Sequence, residues 1–203
     1  MRVDNFRLIS GLLSFDDSNS FYWVQIIKRR KDNNELTKPQ KLIDCFEINS
    51  LDDLRDKSEK IRDICLSENA RAYITINKRS RKTIALKYLE ELARRISNED
   101  YNIRNMYHSI LGKYHSDSKK KWIVDVDDVD DVDDIVGKIE ELQKEVEGTS
   151  GYIGIVPTVN GFHIITTPFN ISKFHRDYPD IEIHKDNPTL LFYEEIADAR
   201  IFV

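Results

Sequence analysis

The alternation of hydrophobic and polar residues predicts a mixture of strands and helices in the first half of the chain. SFYWVQIIKRR and QKLIDCFEIN predict two strands, separated by the polar loop KDNNELTKP. Ser50 predicts the N-cap of a helix that runs from Leu51 to about Ser67. ARAYITIN predicts a third strand, and Ser80 predicts the N-cap of the next helix. The stretch 100–112 predicts a further short helix.

The second half has a simpler predicted order of elements. WIVDVD predicts a strand, DVDDIVGKIEELQKEVE a helix and YIGIVPT a second strand. Asn160-Gly161 is typical of a hairpin and leads into the strand FHIITT. A short helix over 172–176 and the strand IEIH complete a β-α-β-β-α-β order, and TLLFYE predicts a last strand. This order is that of a split βαβ unit, in which the first and third strands are central and the fourth flanks the first.

These patterns predict an α+β fold with two modules that form one compact unit. An N-terminal α/β module is expected over 1–112, and an RRM-like or ferredoxin-like module over 113–203. The length of 203 residues suits one large domain or two small modules with a shared core.

Carboxylates interrupt the predicted strand WIVDVD, which otherwise has the composition of a buried central strand. Asp125 and Asp127 are two residues apart on it, so their side chains point to the same face. Val124 and Val126 then point to the other face, toward the helices. Two neighbouring carboxylates raise each other's pKa, and a divalent cation such as Mg²⁺ or Mn²⁺ removes that cost. The bland alternative is an edge strand with a solvated polar face.

Other aspartates in the same segment have a structural explanation. Asp131, Asp133 and Asp134 lie where the following helix begins, and negative charge near a helix N-terminus is favourable. A calcium-binding loop is disfavoured, because the run lacks the glycine and the closing glutamate of an EF-hand.

The charge of the chain is unevenly distributed. The formal net charge is −5, but seven aspartates lie between Asp125 and Asp134, so the rest of the chain carries +2. A concentrated acidic segment on a mildly basic protein suits binding of a metal and phosphates, although basic runs are also common in solvated loops. Three basic clusters stand out: Lys28–Lys31, Lys78–Lys82 and Lys119–Lys121.

Composition predicts a cytoplasmic protein that does not enter a membrane. No hydrophobic run has the length and composition of a transmembrane helix, and charged residues interrupt any signal-like segment near the N-terminus. Cys45 and Cys65 are far apart and form neither a CxxC pair nor a zinc quartet, so we expect both to be reduced.

Further candidate residues lie on the strands expected beside WIVDVD. His163 is on FHIITT, just after the Asn-Gly turn, where it is placed to contact phosphate oxygens or to donate a proton. A lone histidine among apolar residues is more often a core residue. Glu182 and Asp186, in or after IEIH, are alternative sources of a third carboxylate, with a slight preference for Asp186.

Together these segments resemble the archaeo-eukaryotic primase superfamily, including the small primase-polymerases of plasmids and phages. The hydrophobic strand that ends in Asp-x-Asp matches WIVDVD, the small residue before a histidine matches TVNGFHII, and the later acidic motif matches IEIHKDNP loosely. The resemblance covers about residues 120–190. It implies that Asp125, Asp127 and a third acid, Asp186 or Glu182, hold Mg²⁺ or Mn²⁺, and that His163 contacts the incoming nucleotide. The chain has no zinc-binding cysteine cluster and no helicase domain, unlike many members.

The incoming triphosphate also needs positive partners. The segment NKRSRK places Lys78, Arg79 and Ser80 at a predicted helix N-terminus, where basic residues oppose the helix dipole unless an anion binds. A solvated turn is the alternative. Secondary candidates for phosphate contacts are Arg71, Tyr73, Lys113 and His115; those for base stacking are Tyr107, Tyr114 and Trp122.

The sequence therefore predicts a DNA primase or polymerase that adds nucleotides on a single-stranded DNA or RNA template. Its expected partners are nucleoside triphosphates, the template strand and a helicase or other replication protein in trans. One alternative is an inactive module of the same fold that binds nucleic acid, and another is a metal-dependent phosphodiesterase that uses the same acids. No Walker A loop, GxGxxG turn or Ser-His-Asp order is present, which disfavours ATPase, dinucleotide-binding and hydrolase functions.

Overall fold

The computed structural model describes residues 1–104, 106–114, 120–127, 132–146, 151 and 153–195. This part of the chain is an α+β fold, as predicted, with six helices and ten strands. The helices are α1 (Phe6–Ser10), α2 (Leu51–Glu68), α3 (Arg81–Ser97), α4 (Met106–Lys113), α5 (Asp133–Gln143) and α6 (Ile171–Asp177). The strands are β1 (Arg2–Asp4), β2 (Ser20–Arg29), β3 (Gln40–Ile48), β4 (Arg71–Thr75), β5 (Arg79–Ser80), β6 (Trp122–Asp127), β7 (Ile153–Pro157), β8 (Gly161–Thr166), β9 (Glu182–His184) and β10 (Pro188–Glu194).

Six strands form a sheet with the order β1-β10-β4-β2-β3, and β5 pairs with β2 beside it. Alternate residues of β2 supply two different hydrophobic cores, because successive side chains of a strand point to opposite faces. Val24 and Ile26 pack on one face in a cluster that includes Leu54 and Ile61 of α2. Trp23 packs on the other face, in a cluster formed mainly with residues of α3 and α4.

A second sheet has the order β7-β8-β6-β9, and all of its neighbouring strands are antiparallel. The first and third strands of the predicted β-α-β-β-α-β order, β6 and β8, are therefore adjacent, and the fourth, β9, flanks the first. Val124 and Val126 pack against α5 and α6, as their spacing predicted. On the opposite face, Ile123 and Ile165 join the core of the six-stranded sheet.

The chain returns to the first sheet at its C-terminal end. β10 lies in the predicted module 113–203, but it pairs with β1 and β4 of the N-terminal half. The division at residue 112 is therefore not a division between the two sheets. β1, α1 and β5 have no counterpart among the predicted elements. In the described part of the chain, no helix is long and apolar enough to cross a membrane.

The predicted hairpin joins β7 and β8, but the reason for glycine at position 161 is not the turn conformation that the Asn-Gly pair indicates. A type I′ Asn-Gly turn needs positive φ at both residues, whereas neither Asn160 nor Gly161 has a positive φ. Thr158 N instead donates to Gly161 O over 2.8 Å. A Cβ on Gly161 would lie 2.0 Å from Val126 O, so the position is glycine because β6 approaches too closely for a side chain.

We expect replacement of Ser50 by alanine to destabilise the protein by about 1 kcal/mol, the usual effect of losing an N-cap side chain. Ser50 Oγ accepts a hydrogen bond from Asp53 N over 2.9 Å where α2 begins. Urea unfolding of Ser50→Ala measures the loss. Ser58→Ala, in the interior of the same helix, is the control and should not lower stability, because alanine favours a helix. An equal loss in both variants would contradict the capping role.

Candidate functional site

The candidate site is built on three neighbouring strands of the second sheet. Asp125 on the central strand β6 lies directly opposite His163 on β8 and directly opposite Glu182 on β9. Residues paired in this way project from the same face of a sheet. Asp127, two residues further along β6, shares that face and lies opposite Gly161. The register therefore brings the predicted acidic pair and the predicted histidine to one surface.

His163 connects the acidic strand to the other sheet. Its Nε2 lies 3.3 Å from Asp125 Oδ1, and its Nδ1 lies 2.9 Å from Thr189 Oγ1 on β10. Because Nε2 faces a carboxylate, we assign the ring proton to it, and in the neutral ring Nδ1 then accepts from the Thr189 hydroxyl. Both nitrogens are engaged, so the orientation of the imidazole is fixed.

A second histidine approaches Asp125 from the other side. His184 Nε2 lies 3.9 Å from Asp125 Oδ2 and 3.3 Å from Glu182 Oε2. The contact with His163, and to a smaller extent the contact with His184, holds the pKa of the Asp125 carboxyl well below its usual range, although partial burial opposes this. Asp125, and after it Glu182, raise the pKa of His184 against the effect of its burial. Asp125 is therefore ionised at neutral pH.

This acidic surface faces a cleft with a basic opposite wall. The cleft has a volume of about 140 Å³ and lies between the acidic end of β6 and the first sheet. Its charged and titratable lining residues are Asp125, Asp127, His163, Arg29, Lys31, Arg71 and Tyr73. Side chains of opposite charge thus surround one polar space, which is the arrangement that a bound phosphate and cation require.

The basic wall comes from β2, the residues after it and β4. Arg29 Nη1 donates to Tyr73 Oη over 3.1 Å. Arg71 is buried and donates two hydrogen bonds, of 2.7 and 2.6 Å, to Asp32. Partial burial lowers the pKa of Lys31, and the nearby charges of Arg29 and Arg71 lower it further. The carboxylates of Asp32 and Asp127 oppose this lowering, and a bound anion near Lys31 would likewise favour its charged form.

The chain matches no family model, no curated protein and no solved structure. A proposal of function consequently rests on the cleft and on the elements that form it.

The structure does not bring Asp186 to the acidic pair. The register of β6 and β9 sets Glu182 opposite Asp125, whereas Asp186 follows β9, four residues further along the chain. Asp186 instead accepts hydrogen bonds from Asn77 Nδ2 at 3.0 Å and Arg79 Nη1 at 3.1 Å. Of the two alternative third acids, Glu182 is thus the one beside Asp125, and Asp186 belongs to a separate ion pair.

The predicted phosphate segment 78–80 has structural partners away from the cleft. Lys78 forms an ion pair with Asp16. Arg79 is only 1% exposed and donates from Nε to Leu111 O over 2.7 Å, besides its pair with Asp186. Ser80 caps α3 by accepting from Thr83 N over 3.2 Å, as predicted. The basic residues before α3 are therefore explained by these contacts, without a bound anion.

The secondary candidates also divide into residues that line the cleft and residues that make contacts elsewhere. Arg71 and Tyr73 line the cleft. The aromatic candidates make other contacts: Tyr107 with Glu47, Tyr114 with Lys87, and Trp122 with Phe169 and Lys185. His115, Asp128, Asp130 and Asp131 lie outside the described residues. The cluster Lys28–Lys31, which supplies Arg29 and Lys31 to the cleft, was not among the predicted site residues. Its position at the end of the long predicted strand SFYWVQIIKRR was the available signal for a role in the site.

Proposed function

We propose that this protein is a metal-dependent nucleotidyltransferase of the primase-polymerase type, which adds nucleotides to a strand on a single-stranded template. The observation that supports this most is the shared cleft, in which Asp125, Asp127 and His163 face Arg29 and Lys31. The strand order β7-β8-β6-β9 also agrees with the split βαβ unit that the resemblance to primase-polymerases implies.

The carboxylates of the cleft suit a divalent cation, provided that Asp125 gives up one of its histidine contacts. Asp125 and Asp127 line the cleft, and Glu182 is opposite Asp125, so oxygen donors of the kind that Mg²⁺ and Mn²⁺ prefer are on one face. Among the described residues, no three His, Cys, Asp or Glu side chains are already arranged around a metal position. Both Asp125 oxygens face histidines, so Asp125 must exchange a histidine contact for the cation.

Each side chain has a definite task in the proposed reaction. A bound cation supplies positive charge to the triphosphate and to the attacking hydroxyl group. Arg29 and Lys31 bind phosphate oxygens from the opposite wall of the cleft. His163, once released from Asp125, donates a hydrogen bond from Nε2–H to a phosphate oxygen and keeps that proton, while Thr189 keeps the ring oriented through Nδ1.

We expect Asp125→Asn to reduce nucleotide incorporation by roughly 10²–10³-fold, the usual loss when one electrostatic contact to a transition state is removed. The assay uses a primed single-stranded template, labelled nucleotides and Mn²⁺. Asp134→Asn is the matched control, because Asp134 is exposed in the first turn of α5 and outside the cleft. It should retain activity.

Two other results would overturn the proposal in favour of its rivals. Shortening of the labelled strand without added nucleotides, lost in Asp125→Asn, would indicate a phosphodiesterase. Strand binding by the native protein without incorporation under Mg²⁺ or Mn²⁺ would indicate an inactive nucleic-acid-binding module. Circular dichroism melts of both variants ensure that folded proteins are compared.

A further inference from the structure

We propose that a groove beside the cleft, on the same face of the six-stranded sheet, binds a single strand of nucleic acid. The groove has a volume of about 700 Å³ and lies where β2, β3 and the loop between them meet α4. A space of this size accepts roughly one or two nucleotides at a time. The lining residues that carry chemistry are Trp23, Gln25, Lys38, Gln40, Lys41 and His108.

The groove continues directly into the proposed active site. Gln25 in the groove is the cross-strand neighbour of Tyr73 in the cleft. Gln40 in the groove is likewise the cross-strand neighbour of Arg29 in the cleft. Paired residues of antiparallel strands lie about 5 Å apart on one face. One extended ligand can therefore lie across both spaces without leaving the surface of the sheet.

The charge of the groove suits a polyanion. Lys38 and Lys41 line it and are exposed, and none of its described lining residues is an aspartate or glutamate. The two lysines are followed, toward the cleft, by Arg29 and Lys31, so positive charge marks a path for a phosphate backbone.

The floor of the groove offers planar and hydrogen-bonding groups for bases. The rings of Trp23 and His108 are stacked, with centroids 6.0 Å apart and planes 8° from parallel. Trp23 is buried beneath, and the half-buried His108 lines the groove. The accessible ring of His108, supported by Trp23, can stack with an unpaired base, and the amides of Gln25 and Gln40 both donate and accept hydrogen bonds.

These features favour single-stranded nucleic acid over an acidic peptide. An acidic peptide needs the lysines but neither the stacked rings nor a route into a phosphate-binding cleft. The inference rests on the proposed function for the role of the strand, which is to lead into the site where nucleotides are added. It makes a separate prediction about binding, because strand binding is measured without nucleotides or a metal.

The test is the affinity of the 203-residue protein for a fluorescein-labelled oligothymidylate of about 15 nucleotides, a length typical of single-strand sites. Fluorescence anisotropy over a series of salt concentrations gives the dissociation constant and its salt dependence. We expect Lys38→Gln/Lys41→Gln to weaken binding at least tenfold at low salt. The slope of log affinity against log salt should fall by about 1.4, since each phosphate contact to a single strand contributes about 0.7. Lys60→Gln/Lys144→Gln, with exposed lysines outside the groove, should match the native protein.

Three outcomes decide whether the groove binds a single strand, independently of whether the proposed function is correct. Equal affinity and equal slope in the two double variants would overturn the groove, even if Asp125→Asn abolishes incorporation. Displacement of the oligonucleotide by poly-glutamate at the same concentration of charge would overturn the specificity for nucleic acid. Loss of binding in Lys38→Gln/Lys41→Gln but not in Asp125→Asn would support the groove, whatever the result of the incorporation assay.

A second variant tests the stacking surface rather than the charge. We expect His108→Ala to weaken oligothymidylate binding at least fivefold and to leave the salt slope unchanged, because stacking releases no counterions. An unchanged dissociation constant for a folded His108→Ala protein would remove the stacking platform from the proposal.

Discussion

Replacement of Asp186 by alanine is expected to lower the free energy of unfolding by about 3–5 kcal/mol, the usual effect of removing one partner of a buried ion pair. Arg79 is 1% exposed and the side chain of Asp186 is 21% exposed; Asp186 Oδ1 accepts from Arg79 Nη1 over 3.1 Å, and Asp186 Oδ2 lies 3.1 Å from Arg79 Nη2. Without the carboxylate, the buried guanidinium keeps the carbonyl oxygens of Leu111 and Asn77 as its hydrogen-bond partners among the described residues. A loss of about 3 kcal/mol corresponds to a fall in Tm of roughly 6–12 °C for a chain of this size.

The free energy of unfolding should change much less when Glu182 is replaced. Glu182 has a side chain that is 75% exposed, and its ion pair with His184 is on the surface. Glu182→Gln is therefore expected to change stability by less than about 1 kcal/mol, as exposed ion pairs do. Under the proposed function it should reduce incorporation, because Glu182 is opposite Asp125. The two acids that the sequence left as alternatives are thus separable into a structural and a functional one.

Asp180→Ala controls for the removal of an acid from the same segment, since Asp180 is exposed two residues before β9. Its unfolding curve in urea should overlay that of the native protein. If Asp186→Ala unfolds like Asp180→Ala but loses metal-dependent incorporation, then Asp186 is the functional acid and the assignment made from the register is wrong.

The central part of the site was predictable because it depends on local periodicity. The alternation in WIVDVD separates Val124 and Val126 from Asp125 and Asp127, and the structure directs the valines to α5 and α6. The order of elements after β6 is enough to make β8 its neighbour, which places His163 opposite Asp125. Both predictions follow from features within about forty residues of one another.

The roles of the basic residues were not predictable in the same way. A run such as NKRSRK suggests an exposed surface, yet Arg79 is buried. Its carboxylate partner, Asp186, is 107 residues further along the chain, so local sequence does not indicate the pair. Arg29 and Lys31 face the acidic strand only because the two sheets pack together, with Ile123 and Ile165 in the core of the first. The return of β10 to the first sheet, which brings Thr189 to His163, is a long-range pairing of the same kind.

Gly161→Ala is expected to have the second large effect, on both stability and the site. The new Cβ would lie 2.0 Å from Val126 O and 3.0 Å from Asp127 Cα, so backbone atoms must move. Forced overpacking of this kind costs about 1–3 kcal/mol. Because Gly161 pairs with Asp127, the displacement should fall on the end of β6 that carries the acidic pair. Urea unfolding measures the stability, and hydrogen exchange of the β6 amides measures the local loss of pairing.

Gly137→Ala is the matched control for this change, because the same methyl group is added where no described atom outside the neighbouring backbone of α5 lies within 4 Å. Gly137 is in the interior of α5, so alanine there should stabilise the protein by about 0.5–1 kcal/mol. A loss of stability at position 161 together with a loss of protection of the β6 amides, beside a gain of stability at position 137, would establish that close approach of β6 requires glycine at position 161. If Gly161→Ala is as stable as the native protein and keeps its β6 amides protected, the close packing of β6 against β8 is not what positions Asp127.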